Sequence, residues 1–286
     1  MIPVLDLSVV VPVRNAETFI GDCLDSIVRS EPREIIVVDG NSTDRTLEIA
    51  RRYPVRILSD AGKGVAAARM LGVEVAGSSA VALIDVDIVL PDGALARLLD
   101  EFRGGGYTAL QAGLHSTSGP GYWGRALVYH HNTGRSKNWP GVMATIFRRE
   151  SLLAYGFDER FASGEDIELR WRLRQGGERL GVSRQTIVYH RFDDSFACAR
   201  GQFEADGEGL ARMVLKYRLR AVPLLAIPAA GAARGVGLSL VRRKPRWAPY
   251  YVCYAAMNYA AMIGMMVGGR QRFGDNQPRR TDYGRV

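Results

Sequence analysis

The chain has 286 residues, 47% hydrophobic and 24% charged, a composition that describes a folded globular protein and excludes a disordered one. Its net charge of +8 is unevenly placed: residues 1–200 hold 24 Lys/Arg against 25 Asp/Glu, and residues 201–286 hold 14 against 5. The basic tail flanks two apolar segments, Ala221 to Val241 and Trp247 to Gly268, rather than nucleic-acid-reading elements, which points to an anionic membrane surface and away from nucleic acid. Cys23, Cys198 and Cys253 are too widely spaced for a metal-type pair or a disulfide framework and fit a reducing compartment. The N-terminus has no basic stretch and meets Asp6 early, so no signal peptide is expected there.

Strand and helix patterns alternate through the first hundred residues, the signature of an α/β layer with a mainly parallel sheet. Leu7 to Val13 reads as the first strand, followed by helical spacing of Phe19, Ile20, Cys23, Leu24, Ile27 and Val28. Glu34 to Val38 is a second strand ending at Asp39; Ser42, Thr43 or Asp44 then caps a helix reaching about Arg52. A short strand at Val55 to Leu58 leads into Gly62-Lys63-Gly64 and a small-residue helix from Val65 to about Ala76. Asp92 to Phe102 reads as a further helix, and Gly104 to Asn138 is glycine-rich and polar, has no clear element assignment and reads as a mobile loop.

Between these lies Ala80-Val81-Ala82-Leu83-Ile84-Asp85-Val86-Asp87, an apolar run that reads as a buried strand. If the chain stays extended, Asp85 and Asp87 share one face, where two repelling carboxylates suit a hard divalent cation held partly by phosphate oxygens. A plain strand end before a helix, with Pro91-Asp92 as its start, gives the same pattern. Ligands of open α/β sheets bind beyond the carboxyl ends of the strands, where Pro12 to Asn15, Asp39 and the Asp85/Asp87 pair all fall.

The segments VVVPVRNAETF, EIIVVDGNSTDRTLEIA, GKGVAAARMLGVEVA, LIDVDIVLPDG and ATIFRRESLLAYGFDERFASGEDIELRWRLRQGG occur in the order and spacing of family 2 glycosyltransferases. From Leu5 to His190 the chain resembles that family, and the resemblance implies a GT-A fold: a Rossmann-like, mainly parallel sheet with helices on both faces. It implies an inverting, metal-dependent enzyme using a nucleoside-diphosphate sugar. Asp39 would accept hydrogen bonds from the nucleotide base, and Pro12, Val13, Arg14, Asn15, Glu17, Asn41 and Ser42 would line the nucleotide pocket. Lys63 and Arg69 would lie near the diphosphate; the glycines beside Lys63 allow close backbone approach while its ammonium supplies a point charge. Asp85 would face the ribose or the waters of the metal, and Asp87 would hold Mn²⁺ or Mg²⁺ with both phosphates. His190, which closes a likely strand from Thr186, is a further metal or phosphate contact in some such enzymes, and a lone histidine there is also a common structural residue.

In the same resemblance Glu165-Asp166 is the family's E-D motif. Asp166 would take the proton of the acceptor hydroxyl, with Glu165 orienting or assisting. The residues after it read as a helix ended by Gly176-Gly177, so the Asp166 carboxylate sits at a helix N-terminus that favours its charged form. Trp139 and Arg191 are the acceptor candidates, and the Trp139 indole is equally readable as packing.

The expected organisation is a catalytic domain over 1–200, a helical apolar and basic membrane-associating region over 201–273, and a tail over 274–286. Each apolar segment has the length of a bilayer span. Pro223, Pro228 and Arg234 in the first, and Arg242, Arg243, Lys244 and Arg246 between the two, argue instead for helices lying on the cytoplasmic leaflet. Membrane attachment implies a lipid-linked (polyprenyl-type) saccharide acceptor. Three alternatives stand beside it: a polyprenyl-phosphate sugar synthase, a nucleotidyltransferase, and a non-catalytic membrane-bound nucleotide-sugar-binding partner. Oligomerisation is open.

Overall fold

The computed structural model describes residues 4–134 and 138–268. The chain divides into two compact units, Met1–Ala199 and Arg200–Val286. The expected tail over 274–286, and the end of the membrane-associating region beyond Gly268, lie outside the described residues.

The first unit is built on one eight-stranded sheet. Its elements in chain order are β1 (Leu5–Val13), α1 (Ile20–Val28), β2 (Pro32–Asp39), α2 (Thr46–Ala50), β3 (Arg56–Ser59), α3 (Val65–Val75), β4 (Ala80–Leu83), β5 (Ile88–Val89), α4 (Ala94–Gly105), β6 (Ala109–Ser118), α5 (Tyr122–Thr133), β7 (Thr145–Arg148), α6 (Arg149–Tyr155), α7 (Glu165–Gln175) and β8 (Leu180–Phe192). Strand order is β3-β2-β1-β4-β7-β6-β8-β5. The β3–β2, β2–β1, β1–β4 and β6–β8 pairs are parallel, and β4–β7, β7–β6 and β8–β5 are antiparallel. The sheet is therefore mixed: the half that carries the first three βα units is parallel, as their alternation dictates, and the later half reverses direction.

Side-chain alternation on β1 distributes the core. Leu7, Val9, Val11 and Val13 pack to one side with Ile20, Cys23, Leu24 and Ile27 of α1 and Leu95, Leu98 and Leu99 of α4. Val10, with Ile36, Val81, Leu83 and Phe147, faces the other side, against Ala66, Ala68 and Val73 of α3 and Leu169 and Leu173 of α7. Fully burying a side chain of the Val or Leu class contributes roughly 1.5–3 kcal/mol, so these two layers hold the sheet rigid between its helices. α3 lies unusually close to the sheet because Gly72 faces Val10, where a Cβ would overlap the valine methyls. That close approach sets the depth at which α3 carries its side chains.

Two expectations are corrected. The apolar run before Asp85 stops being a strand at Leu83; Val86 and Asp87 form a turn in which Ile88 N donates to Asp85 O at 3.0 Å. Asp85 and Asp87 therefore do not share a face by strand alternation. The chain bends there because β5 leaves β4 to pair at the far edge with β8, Ile88 opposite His190. Gly104 to Asn138, read as a loop, instead contains β6 and α5, with residues 135–137 outside the described ones. β6 lies between β7 and β8, and that long-range pairing overrides a composition poor in strand formers.

The second unit is helical, with α8 (Phe196–Tyr217) leading into it, a 3₁₀ stretch over Arg218–Ala226, α9 (Ile227–Val241), a 3₁₀ turn at Pro245–Trp247 and α10 (Ala248–Gly268). α10 buries Tyr250, Tyr251, Tyr254, Asn258 and Met262 at helical spacing, with Tyr250 and Tyr254 edge-on to Phe203 of α8 at 5.2 and 5.5 Å. Val252, Ile263 and Val267 on the opposite side of α10 are exposed, as are Leu240, Val241 and the basic turn Arg242, Arg243, Lys244 and Arg246. Phe196–Val241 and Pro245–Gly268 are long and apolar enough to cross a membrane by length and composition.

Candidate active site

The loops leaving β1, β2 and β3 open at one end of the sheet because those strands run parallel. Between them and the start of α3 lies a cleft of about 380 Å³, lined by Pro12, Val13, Arg14, Gly40, Lys63 and Phe161 among others. Gly40 N donates to Val13 O at 2.9 Å, extending the β1–β2 ladder to the cleft floor. Asp39 is buried, with both carboxylate oxygens 3.2 Å from the Ser42 amide.

Three other residues expected at the nucleotide pocket lace the two loops together. Asn15, at φ +50°, accepts from Thr43 N at 2.8 Å and donates its own amide to Ser42 Oγ at 2.9 Å. Glu17 accepts from Arg45 N at 3.2 Å, and its amide donates to Asp44 Oδ2 at 3.1 Å. Asp44 also accepts from Thr46 N at 2.9 Å, closing a turn ahead of α2, whose N-cap position is Arg45 and not Ser42, Thr43 or Asp44 as expected. Asn41 takes a left-handed turn at φ +63°.

The Lys63 loop is organised by a residue that the motif reading passed over. Asp60 is buried and accepts from Gly62 N at 2.7 Å and Gly64 N at 2.9 Å, closing the turn so that Lys63 stands exposed at the cleft. Asp followed two residues later by Gly is the pattern of a side-chain-closed turn, and it was the available signal.

Each carboxylate after β4 has its own partner. Asp85 Oδ1 lies 2.7 Å from Arg69 Nη2, and the other Nη of Arg69 pairs with Glu165 at the start of α7. The Arg69 side chain is 4% exposed, with its guanidinium over the Phe157 ring at 5.9 Å. Burial opposes its charge, and Asp85 and Glu165 more than offset that, holding the guanidinium above its ordinary pKa. Arg69 is thus engaged by protein carboxylates and is not among the residues that line the cleft. Asp87 Oδ2 lies 3.1 Å from His190 Nε2, while Asp87 Oδ1 and His190 Nδ1 are buried with no hydrogen-bond partner. His131 of α5 packs edge-on to His190 at 6.0 Å.

The two orphaned atoms test the site for a cation. A buried carboxylate oxygen and a buried imidazole nitrogen, neither with a hydrogen-bond partner, are a donor set for Mn²⁺ or Mg²⁺, and the Asp87/His190 pair fits one. Among the described residues no group of three His, Cys, Asp or Glu side chains converges, so the remaining ligands would be phosphate oxygens and water.

Gly164, at φ +76°, turns the chain into α7, placing Glu165 and Asp166 in its first turn. Burial raises the Glu165 carboxyl above its ordinary value, Arg69 opposing and Asp166 adding to the rise. Asp166 is half-buried, and its Oδ2 lies where a Cβ on Gly141 would sit 3.4 Å away. Gly141 N is held by the buried Gln111 Oε1 at 2.5 Å, and sequence reading gave no sign of Gln111. One turn along α7, Arg170 donates to Pro140 O at 3.2 Å and lies over the Trp139 ring at 5.3 Å, leaving the indole 43% exposed. Arg191 instead braces α1, donating to Asp22 Oδ2 at 2.5 Å and to Phe19 O at 3.3 Å.

Known proteins share this architecture. Structures of S. aureus TarS 1-349 match it with TM-scores of 0.55 (in complex with UDP, 18% identical, covering 94% of this chain and 92% of that one) and 0.56 (in complex with UDP-GlcNAc, 17%, 93% and 92%), a likeness of fold. In sequence, the succinoglycan biosynthesis protein ExoA of Rhizobium meliloti is 27% identical over 260 residues, covering 82% of this chain and 78% of that protein. The pre-mycofactocin glycosyltransferase of Mycobacterium tuberculosis is 29% identical over 205 residues, covering 65% of this chain and 42% of that protein. The family model "Glycosyl transferase family 2" matches residues 8–156, from β1 to the end of α6 and so across every strand-end loop of the cleft, and by that match the chain belongs to glycosyl transferase family 2 and is a glycosyltransferase.

Proposed function

We propose that this glycosyltransferase moves a sugar, with inversion, from a nucleoside-diphosphate sugar to a hydroxyl of a lipid-linked, polyprenyl-type saccharide at the cytoplasmic face of the cell membrane. The observation that carries the reading is the Arg69 fork. It ties α3, which begins in the cleft, to Asp85 and to Glu165, which supports reading the cleft, the turn after β4 and α7 as one site.

In this reading the nucleotide lies in the cleft, with its base at Asp39 and its diphosphate near Lys63. Asp87 and His190 hold Mn²⁺ or Mg²⁺, whose chemistry when bound is neutralisation of charge on the departing diphosphate. Asp166 receives the proton of the acceptor hydroxyl as that oxygen attacks the anomeric carbon. A carboxylate serves as the proton acceptor because positioning carries much of the rate. The half-exposed Trp139 indole, held by Arg170 near Asp166, offers an apolar face to an acceptor sugar ring. The lipid part of the acceptor is read from the second unit, whose exposed apolar residues and basic turn suit a helical hairpin lying on an anionic leaflet.

The test is the thermal midpoint of the detergent-purified chain with UDP, GDP, dTDP and CDP, each with and without Mn²⁺. UDP comes first because the TarS structures of the same fold hold UDP and UDP-GlcNAc. A nucleotide at one hundred times its dissociation constant adds about 2.7 kcal/mol, a shift of several degrees. A metal-dependent rise with one nucleotide is the expected result. No rise with any of them overturns the reading.

A further inference from the structure

We infer that Arg69 is a positioning residue that couples occupation of the nucleotide cleft to placement of Asp166, without itself touching the donor. The inference deepens the function proposed above and rests on it. Arg69 sits one turn into α3, whose first residues, Val65 to Ala68, line the cleft. Gly72 seats the same helix directly on Val10 of the central strand, so a displacement at its N-terminus is carried along α3 rather than absorbed by bending. At the other end of the guanidinium, Glu165 is the residue immediately before Asp166, and it opens the helical turn whose first hydrogen bond runs from Glu168 N to Gly164 O at 3.0 Å.

A guanidinium suits this task because its planar fork spans two carboxylates at once, which an ammonium does not do with fixed geometry. The 4% exposure of the side chain, and Phe157 beneath it, leave no face for a phosphate. The Asp85 partner belongs to the turn that also presents Asp87, so the fork reads both the strand-end carboxylates and α7. Arg69 Nε is buried with no partner, so the two carboxylates are what hold the fork in place.

The test uses the full-length chain in detergent, with UDP and Mn²⁺ as the probe, and the variants Arg69→Lys, Arg69→Met, Glu165→Gln and Asp85→Asn, each checked by thermal midpoint. UDP affinity is measured by calorimetric titration, and amide hydrogen exchange is followed across residues 164–168. In the wild type, UDP with Mn²⁺ is expected to slow exchange there by at least about fivefold, the lower end of ordinary coupling between sites. In Arg69→Met and Glu165→Gln that slowing is lost while the UDP dissociation constant moves less than about threefold, and the double variant is no worse than either single one, as residues of one network behave. Arg69→Lys retains the charge and part of the slowing; should Arg69→Met fail to fold, Lys and Glu165→Gln carry the comparison. A tenfold or greater loss of UDP affinity in any folded Arg69 variant, or slowing that survives in Glu165→Gln, overturns the coupling alone. A wild type that binds none of the four nucleotides overturns the proposed function, and the coupling with it.

Discussion

His190 Nε2 lies 3.1 Å from Asp87 Oδ2, although the two residues come from a turn after β4 and from the last third of β8. The pairing of Ile88 with His190 across β5 and β8 brings them together, and Arg191 N locks the register by donating to Asp87 O at 3.0 Å. Asp87→Asn and His190→Ala are each expected to weaken Mn²⁺-supported nucleotide binding by at least about 10–100-fold, the loss that follows when a residue that only orients a metal ligand is mutated. Titration of UDP with Mn²⁺ reads this directly, and dialysis against EDTA should abolish the thermal shift in the wild type. Equal UDP affinity with and without metal would remove the cation from the site.

Asp166→Asn preserves shape and removes the proton acceptor. Sugar transfer should fall about 10²–10⁴-fold, with nucleotide affinity unchanged and a thermal midpoint close to that of the wild type. Steady-state turnover beside UDP titration separates the two. Only a modest loss of rate would favour a lipid phosphate as the nucleophile, which needs no base.

Asp60→Ala takes the acceptor from the Gly62 and Gly64 amides and so opens the Lys63 loop. Two unsatisfied amides cost about 1–3 kcal/mol each where they stay dry, and less where water reaches them. The measurable outcome is weaker nucleotide binding with the rest of the unit folded. Asp60→Asn, which keeps one good acceptor oxygen, should recover part of the affinity.

Gly72 and Gly104 are both helical glycines, and alanine should move them in opposite directions. At Gly72 the new methyl overlaps Val10, so Gly72→Ala is expected to destabilise by roughly 1–3 kcal/mol. At Gly104 nothing lies within 4 Å, and the helical preference of alanine should leave stability unchanged or raise it by up to about 1 kcal/mol. Denaturant unfolding of the two variants side by side is the check.

Burial raises the Glu165 carboxyl, so the folded chain holds that proton more tightly than the unfolded chain does. Its contribution is therefore fully present below the unfolded value and is lost as the pH rises through the folded one. Relative to Glu165→Gln, the wild type should lose stability as the pH climbs above about 4.3, the ordinary glutamate value. Denaturant titrations from acid to neutral pH measure the difference. A difference that grows with pH would mean that attraction to Arg69 outweighs burial.

Short-range order was legible in the sequence. The strand over Leu7 to Val13, the spacing of Ile20, Leu24 and Ile27, and the helix that opens around Asp166 depend on neighbours within a few residues, and the chain carries those neighbours with it. The order of the motifs likewise indicated the family, because five segments in register are hard to meet by chance. The same local reading failed at Asp85 and Asp87, where an apolar run promised an extended strand and pairing with β8 bent it instead. It failed again at β6 and α5, whose composition is that of a loop and whose position inside the sheet makes them regular. Arg69 shows the limit most plainly: in sequence it is a basic residue near a glycine-rich turn, free to face a diphosphate. Only the folded chain brings Asp85 and Glu165 to its two ends, since a buried charge settles where opposite charges compensate its lost hydration, and those partners lie far away along the chain.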